Sequence, residues 1–152
     1  MVRRKSRWII GLLLWEEEEE KAEENHQQSE SHKDKKATID RLTSSTFQDV
    51  LKNAVGECWG AIGMAYLSSS LRVAYLGKGI GKSPLFVIQT EKAYCQELLA
   101  VLKAITQLGG SRCSISVLHV SGTLRSGVKF LSHHIHQMIN TLSIHQDGCS
   151  AC

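Results

Sequence analysis

The sequence predicts an α/β fold, a mixed five-stranded sheet flanked by helices, carried by residues 47–146. Three observations predict it. Short apolar runs joined by small-residue turns fill residues 47–76. One long segment, Glu91 to Leu108, repeats its apolar residues at helical spacing, and a β-rich run and a second helical pattern follow it. Three meandering strands followed by strand–helix crossovers build a sheet with helices packed on it.

The first strand is placed at Phe47 to Asn53, with imperfect alternation, and the second at Trp59 to Tyr66, whose glycines let backbones approach closely. Leu71 to Leu76 (LRVAYL) is the third strand, joined to the second through Ser68-Ser69-Ser70 as an antiparallel hairpin. In the segment Glu91 to Leu108, Tyr94, Leu98, Val101, Leu102, Ile105 and Leu108 fall on one side of a helix. Thr90 is placed to cap it and Gly109-Gly110 to stop it. Cys113 to Val120 is the fourth strand, Leu124 to Leu142 the second helix, and Ser143 to Gln146 a short last strand. Residues 147–152 are a tail.

Residues 1–46 carry 9 Lys/Arg and 10 Asp/Glu, whereas residues 47–152 carry 9 and 5, so the carboxyl-terminal two-thirds is mildly basic. That balance is compatible with nucleic acid without demonstrating it, because solubility needs charge too. From Glu16 to about Ser45 the chain is polar and charged, a helical or disordered segment that cannot bury enough surface to offset its ordering. Before it, the basic Arg3-Arg4-Lys5 and the apolar run Trp8 to Trp15 imitate a secretory signal. The run is far too short to span a membrane, and five glutamates follow where a small-residue cleavage site belongs. The expectation is a short helix packed on the body or on a protein partner, in a protein that is intracellular, nuclear or cytoplasmic, and not secreted. Five cysteines in no framework pattern fit reduced thiols.

The stretch Gly77 to Pro84 (GKGIGKSP) imitates a phosphate-binding loop and fails the count. The first glycine of G-x-x-x-x-G-K-[ST] falls on Leu76, and Pro84 with Leu85-Phe86-Val87-Ile88 reads as extended chain where a helix is required. A loop offering Lys78 and Lys82 to an acidic partner fits better.

Three places in this order carry a resemblance to the type 1 ribonuclease H domain, particularly the degenerate forms in plant non-LTR retroelements. Asn53-Ala54 with Trp59 to Ala65 resembles the family's first strands, Ala93 to Ile105 its A-E-L-x-A helix motif, and Ile115 to Val128 its fourth strand and exit. The resemblance implies binding of RNA–DNA hybrid and, in an active member, cleavage by two Mg²⁺ held among carboxylates. Only Glu97 matches a metal-binding carboxylate. Asn53 stands at the first-strand aspartate, His119-Val120-Ser121-Gly122 where an Asp-Ser belongs, and the terminal helix is lacking, as in a truncated domain. The implied reading is a nucleic-acid-binding domain with a degraded hydrolytic centre, taking Mg²⁺ at Glu97 if active and no cofactor otherwise. Lys52, Arg72, Lys78, Lys82, Lys92, Arg125 and Lys129 lie in or beside the sheet and its loops, with Lys52, Lys78, Lys82 and Arg125 singled out to meet phosphates, although solvated surface charge explains them too. The alternative is a non-catalytic interaction module that uses the fold as a scaffold.

Two further patterns are weaker. His133, His134, His136 and His145 with Cys149 and Cys152 suggest zinc ligands, but one C-x-x-C with scattered histidines falls short of a closed site. Ser150 and Ala151 are not the aliphatic pair that prenylation requires.

Overall fold

The computed structural model describes residues 4–16, 42–79 and 83–147, with backbone alone beyond 141. Strand β1 (Ser6–Trp15) comes first, then helix α1 (Ser44–Ser70), β2 (Arg72–Lys78), β3 (Pro84–Glu91), a 3-10 turn (Lys92–Tyr94), α2 (Cys95–Ala104), β4 (Gln107–Leu108), β5 (Ser111–Ser121) and α3 (Leu124–Asp147). The strands form one five-stranded sheet in the order β2-β3-β1-β5-β4. Every pairing is antiparallel, so the sheet is not mixed.

The apolar run Trp8 to Trp15 is the central strand, not a helix, and the folded body begins well ahead of Phe47. An unbroken apolar run is what a strand buried on both faces looks like. Ile9 and Leu13 point into the main core, and Ile10 into a smaller cluster on the opposite face. Gly11 sits between them at a register shift against β5, where a bulge lets the strand bend.

The two strands expected at 47–53 and 59–66 are instead α1. Phe47, Leu51 and Val55 recur every four residues, and all three are fully buried. Thr43 caps the helix, its Oγ1 accepting the Thr46 N–H at 3.2 Å. The helix breaks at Gly60 (φ 68°, ψ −167°), a conformation open essentially to glycine alone, and resumes to Ser70. Gln48 Oε1 accepts the Val73 N–H at 3.2 Å, tying α1 to β2 beside a register shift.

Helix α2 is shorter than its periodicity suggests. Glu91 and Thr90 belong to β3, and Thr90 is buried there rather than capping a helix. Gly109 (φ 59°) and Gly110 (φ 84°) form the two-residue turn of the β4–β5 hairpin, a turn that needs positive φ at both positions. The backbone at 143–146 is the end of α3, not a strand. In α3 the Ser126 N–H meets Thr123 Oγ1 at 3.2 Å, the start the sequence places near Leu124.

The result is a sheet with two unlike faces. One face, with Ile9, Leu13, Phe86, Ile88 and Cys113, packs under α1 and α2 as a single core. The Phe47 and Phe86 rings lie 5.6 Å apart at its centre. On the other face Ile10, Leu85 and Val87 form a small cluster with Trp8, Leu12 and Leu131, and α3 packs against β5 and β1.

Candidate nucleic-acid interface

Glu97 and Asn53 do not meet. Glu97 stands in the first turn of α2. Asn53 lies on α1 and lines an open hollow of about 370 Å³ with Ala104 to Gln107, at the far end of α2. Seven residues of helix separate the two ends by about 10 Å. One Glu97 oxygen, Oε2, is buried without a hydrogen-bond partner among the described residues. Its charge is felt nearby: burial pushes the Cys95 thiol up, Arg7 opposes that, and Glu97 adds to it. Among the described residues no three His, Cys, Asp or Glu side chains are grouped to hold a metal ion. Neither Glu97 nor any of His133, His134 and His136 belongs to such a group.

The four basic positions expected at phosphates are dispersed. Lys52 is half-buried on α1, Lys78 is exposed at the end of β2, and Arg125 is exposed at the start of α3. Arg125 borders a shallow hollow with Thr123, Ser126 and Lys129. Lys82 lies outside the described residues, between β2 and β3 in the sequence. β2 and β3 pair antiparallel up to Lys78 and Pro84, so a strand begins at Pro84 where a phosphate-binding loop would lead into a helix.

A surface that includes the basic candidate Arg72, but whose assembly residue types did not reveal, lies on the sheet face carrying α3. Register places Arg72, Gln89, Trp8 and Ser121 in one row across β2, β3, β1 and β5. The next row on that face is Tyr75, Val87, Ile10 and His119, and the next is Gly77, Leu85, Leu12 and Ser116. Helix α3 takes the β1–β5 side. Phe130 stacks on His119 with ring centroids 4.2 Å apart, and Gly127 admits the Ile10 side chain. On the β2–β3 side, Arg72 is exposed and Tyr75 is 46% exposed. Among the described residues, carboxylates are scarce here. Asp49, Glu57 and Glu97 are on α1 and α2, over the opposite face, and Glu91 is neutralised by Arg4 at 2.9 Å. Strict alternation in β2 would put Arg72 and Tyr75 on opposite faces, and only the register shift between Val73 and Tyr75 brings them to one, so the sequence carried no local signal for this surface.

A second exposed surface is apolar. Around the Gly60 break, Trp59 (48%), Ile62 (74%) and Tyr66 (58%) stand open on α1. The stretch from Cys58 to Leu71 carries no charged residue. No helix among the described residues is long and apolar enough to cross a membrane. The cysteines at 58, 95 and 113 are free thiols.

Fold and surfaces together define a small α/β protein with an antiparallel sheet, one face closed and one partly open, and no carboxylate cluster for metal among its described residues. The chain belongs to the Rpp14/Pop5 family, whose profile matches residues 7–132. It is similar to the ribonuclease P/MRP protein subunit POP5 of Schizosaccharomyces pombe (strain 972), with 26% identity over 125 residues, 82% of this chain and 81% of that protein. A chain in a cryo-EM structure of yeast ribonuclease MRP is also similar, at 14% identity and a TM-score of 0.47, covering 93% of this chain and 98% of that one. The family match overturns the ribonuclease H resemblance and, with it, the retroelement, plant and RNA–DNA hybrid expectations. The missing terminal helix was an absence measured against that family alone. The misassignment has a physical root: the small-residue, glycine-containing stretch 59–65, which resembled a strand, is an exposed, broken helix.

Proposed function

We propose that the protein is a non-catalytic subunit of a ribonucleoprotein of the ribonuclease P/MRP kind, contacting both an RNA and protein neighbours. The family match over residues 7–132 carries this reading, because it spans the whole sheet, α1, α2 and the first third of α3. The interaction-module alternative fits this better than a hybrid-cleaving enzyme does, with one change. Trp8 to Trp15 is the central strand, so a protein neighbour would use the open apolar side of α1 around Trp59, Ile62 and Tyr66 instead. An exposed apolar patch rimmed by polar residues is the usual mark of such a contact. The carboxylate-poor sheet face with Arg72 suits RNA, whose phosphates attract unpaired cations. In this reading Glu97 holds no catalytic metal and no cofactor is needed. Recovering the full chain from its own cells and identifying the RNA that accompanies it tests the proposal. Co-recovery of a ribonuclease P or MRP RNA supports it, and its absence from recovered protein rejects it.

A further inference from the structure

We propose that the open β2–β3 side of the sheet binds an unpaired stretch of RNA, with Tyr75 stacking on a base and Arg72 meeting a phosphate. This deepens the ribonucleoprotein reading and rests on it.

The geometry of Tyr75 points to the ligand. Tyr75 and Gly77 lie on the same face of the edge strand β2, and the Tyr75 ring is laid along the strand over Gly77. A Cβ at Gly77 would come within 2.6 Å of the Tyr75 hydroxyl oxygen and 2.8 Å of Cζ. The glycine therefore leaves room for the ring to lie flat rather than stand out from the sheet. A flat aromatic face, nearly half exposed, is a platform for a planar base, and every base has a π-face to offer.

Charge completes the argument. Arg72 lies on the same face, one row away, beside Gln89 and Trp8. Among the described residues neither the Arg72 nor the Tyr75 side chain has a hydrogen-bond or ion-pair partner. Glu91, two residues from Gln89, is already held by Arg4. A guanidinium near an exposed ring, with no partner and no competing carboxylate in its row among the described residues, matches a phosphate next to a splayed base. Duplex RNA is a poor fit, because its stacked bases cannot reach the ring.

The test uses the full chain and an unstructured oligouridylate of about twelve nucleotides, against an RNA duplex of equal length, by fluorescence anisotropy across a salt series. Tyr75→Ala is expected to lose affinity for oligouridylate by about 5- to 100-fold, with the salt slope unchanged. Tyr75→Phe keeps the ring and should bind as the parent does. Gly77→Ala, which displaces the ring without removing it, should weaken binding in the same direction. Arg72→Ala should reduce the salt slope by about 1. Equal affinity of Tyr75→Ala and parent overturns the proposal, as does duplex binding as tight as oligouridylate binding, or no oligouridylate binding at low salt. Loss of a protein neighbour from the particle with oligouridylate affinity intact also overturns it, since the ring would then be a protein contact. Co-recovery of cellular RNA is scored separately, so this surface can fail while the ribonucleoprotein reading stands.

Discussion

Phe86 lies against Gly11, and nothing larger than a hydrogen fits between the central strand and that ring. A Cβ at Gly11 would press on Cζ of Phe86 and come within 2.5 Å of the Ser116 carbonyl oxygen. The second of these is backbone and cannot swing aside. Gly11→Ala is therefore expected to destabilise the protein by about 1–3 kcal/mol or more, seen as a lower urea midpoint at unchanged slope.

The Phe47–Phe86 pair, 5.6 Å apart, joins α1 to the sheet. Phe47 is fully buried, and Phe47→Ala should cost about 3–5 kcal/mol. Thr43→Ala, which removes only the cap of the same helix, should cost about 1 kcal/mol. Thermal unfolding of the two variants side by side checks the ratio. Similar small losses would show that α1 does not pack as described.

How much of this was legible follows from where the signals sit. β2, β5 and most of α3 were readable because alternation, β-branched residues and a clear start survive in a single sequence. The heart of α2 was readable from Leu98, Val101 and Leu102, but its ends were not, because Thr90 and Leu108 serve strands. β1 was hidden by its flanks, since arginines before it and glutamates after it made a buried central strand look like a targeting segment. α1 was hidden by its own break at Gly60, after which Ile62, Met64 and Tyr66 face outward and only Leu67 is buried in the core, too little for a stripe. The Tyr75–Arg72 surface depends on β2 lying at an edge beside β3, and sheet order is not written in local pattern.

Gly60 and Gly110 separate backbone strain from crowding. No heavy atom lies within 4 Å of a Cβ built at either, yet their φ values are 68° and 84°. Gly60→Ala and Gly110→Ala should each destabilise by about 1–3 kcal/mol through the backbone alone. Neutral outcomes in chemical denaturation would mean that the break in α1 and the β4–β5 turn take other shapes.

The thiols give a pH signature. Burial pushes Cys95 up, against Arg7 and with Glu97, and burial pushes Cys113 up, with help from Glu16. Groups raised on folding contribute stability that is whole below the ordinary thiol pKa, about 8.5, and lost as pH rises through the folded values. The protein should weaken toward alkaline pH, less so in Cys95→Ala and Cys113→Ala when each is compared with its own stability at neutral pH. Mass spectrometry after iodoacetamide treatment of native protein should find Cys58 modified ahead of Cys95 and Cys113, which stay protected until unfolding.

Ile62 is 74% exposed, and Ile62→Asp should move stability by no more than about 0.5 kcal/mol. The same change should detach a protein neighbour from the particle, measured by quantitative mass spectrometry of purified complexes. Retention of every neighbour would remove α1 from consideration as a contact.

The most direct measurement is sequencing of the RNA that co-purifies with the tagged full chain under stringent washing. The account predicts enrichment of a ribonuclease P or ribonuclease MRP RNA over total cellular RNA. Intact protein recovered with neither RNA would contradict it.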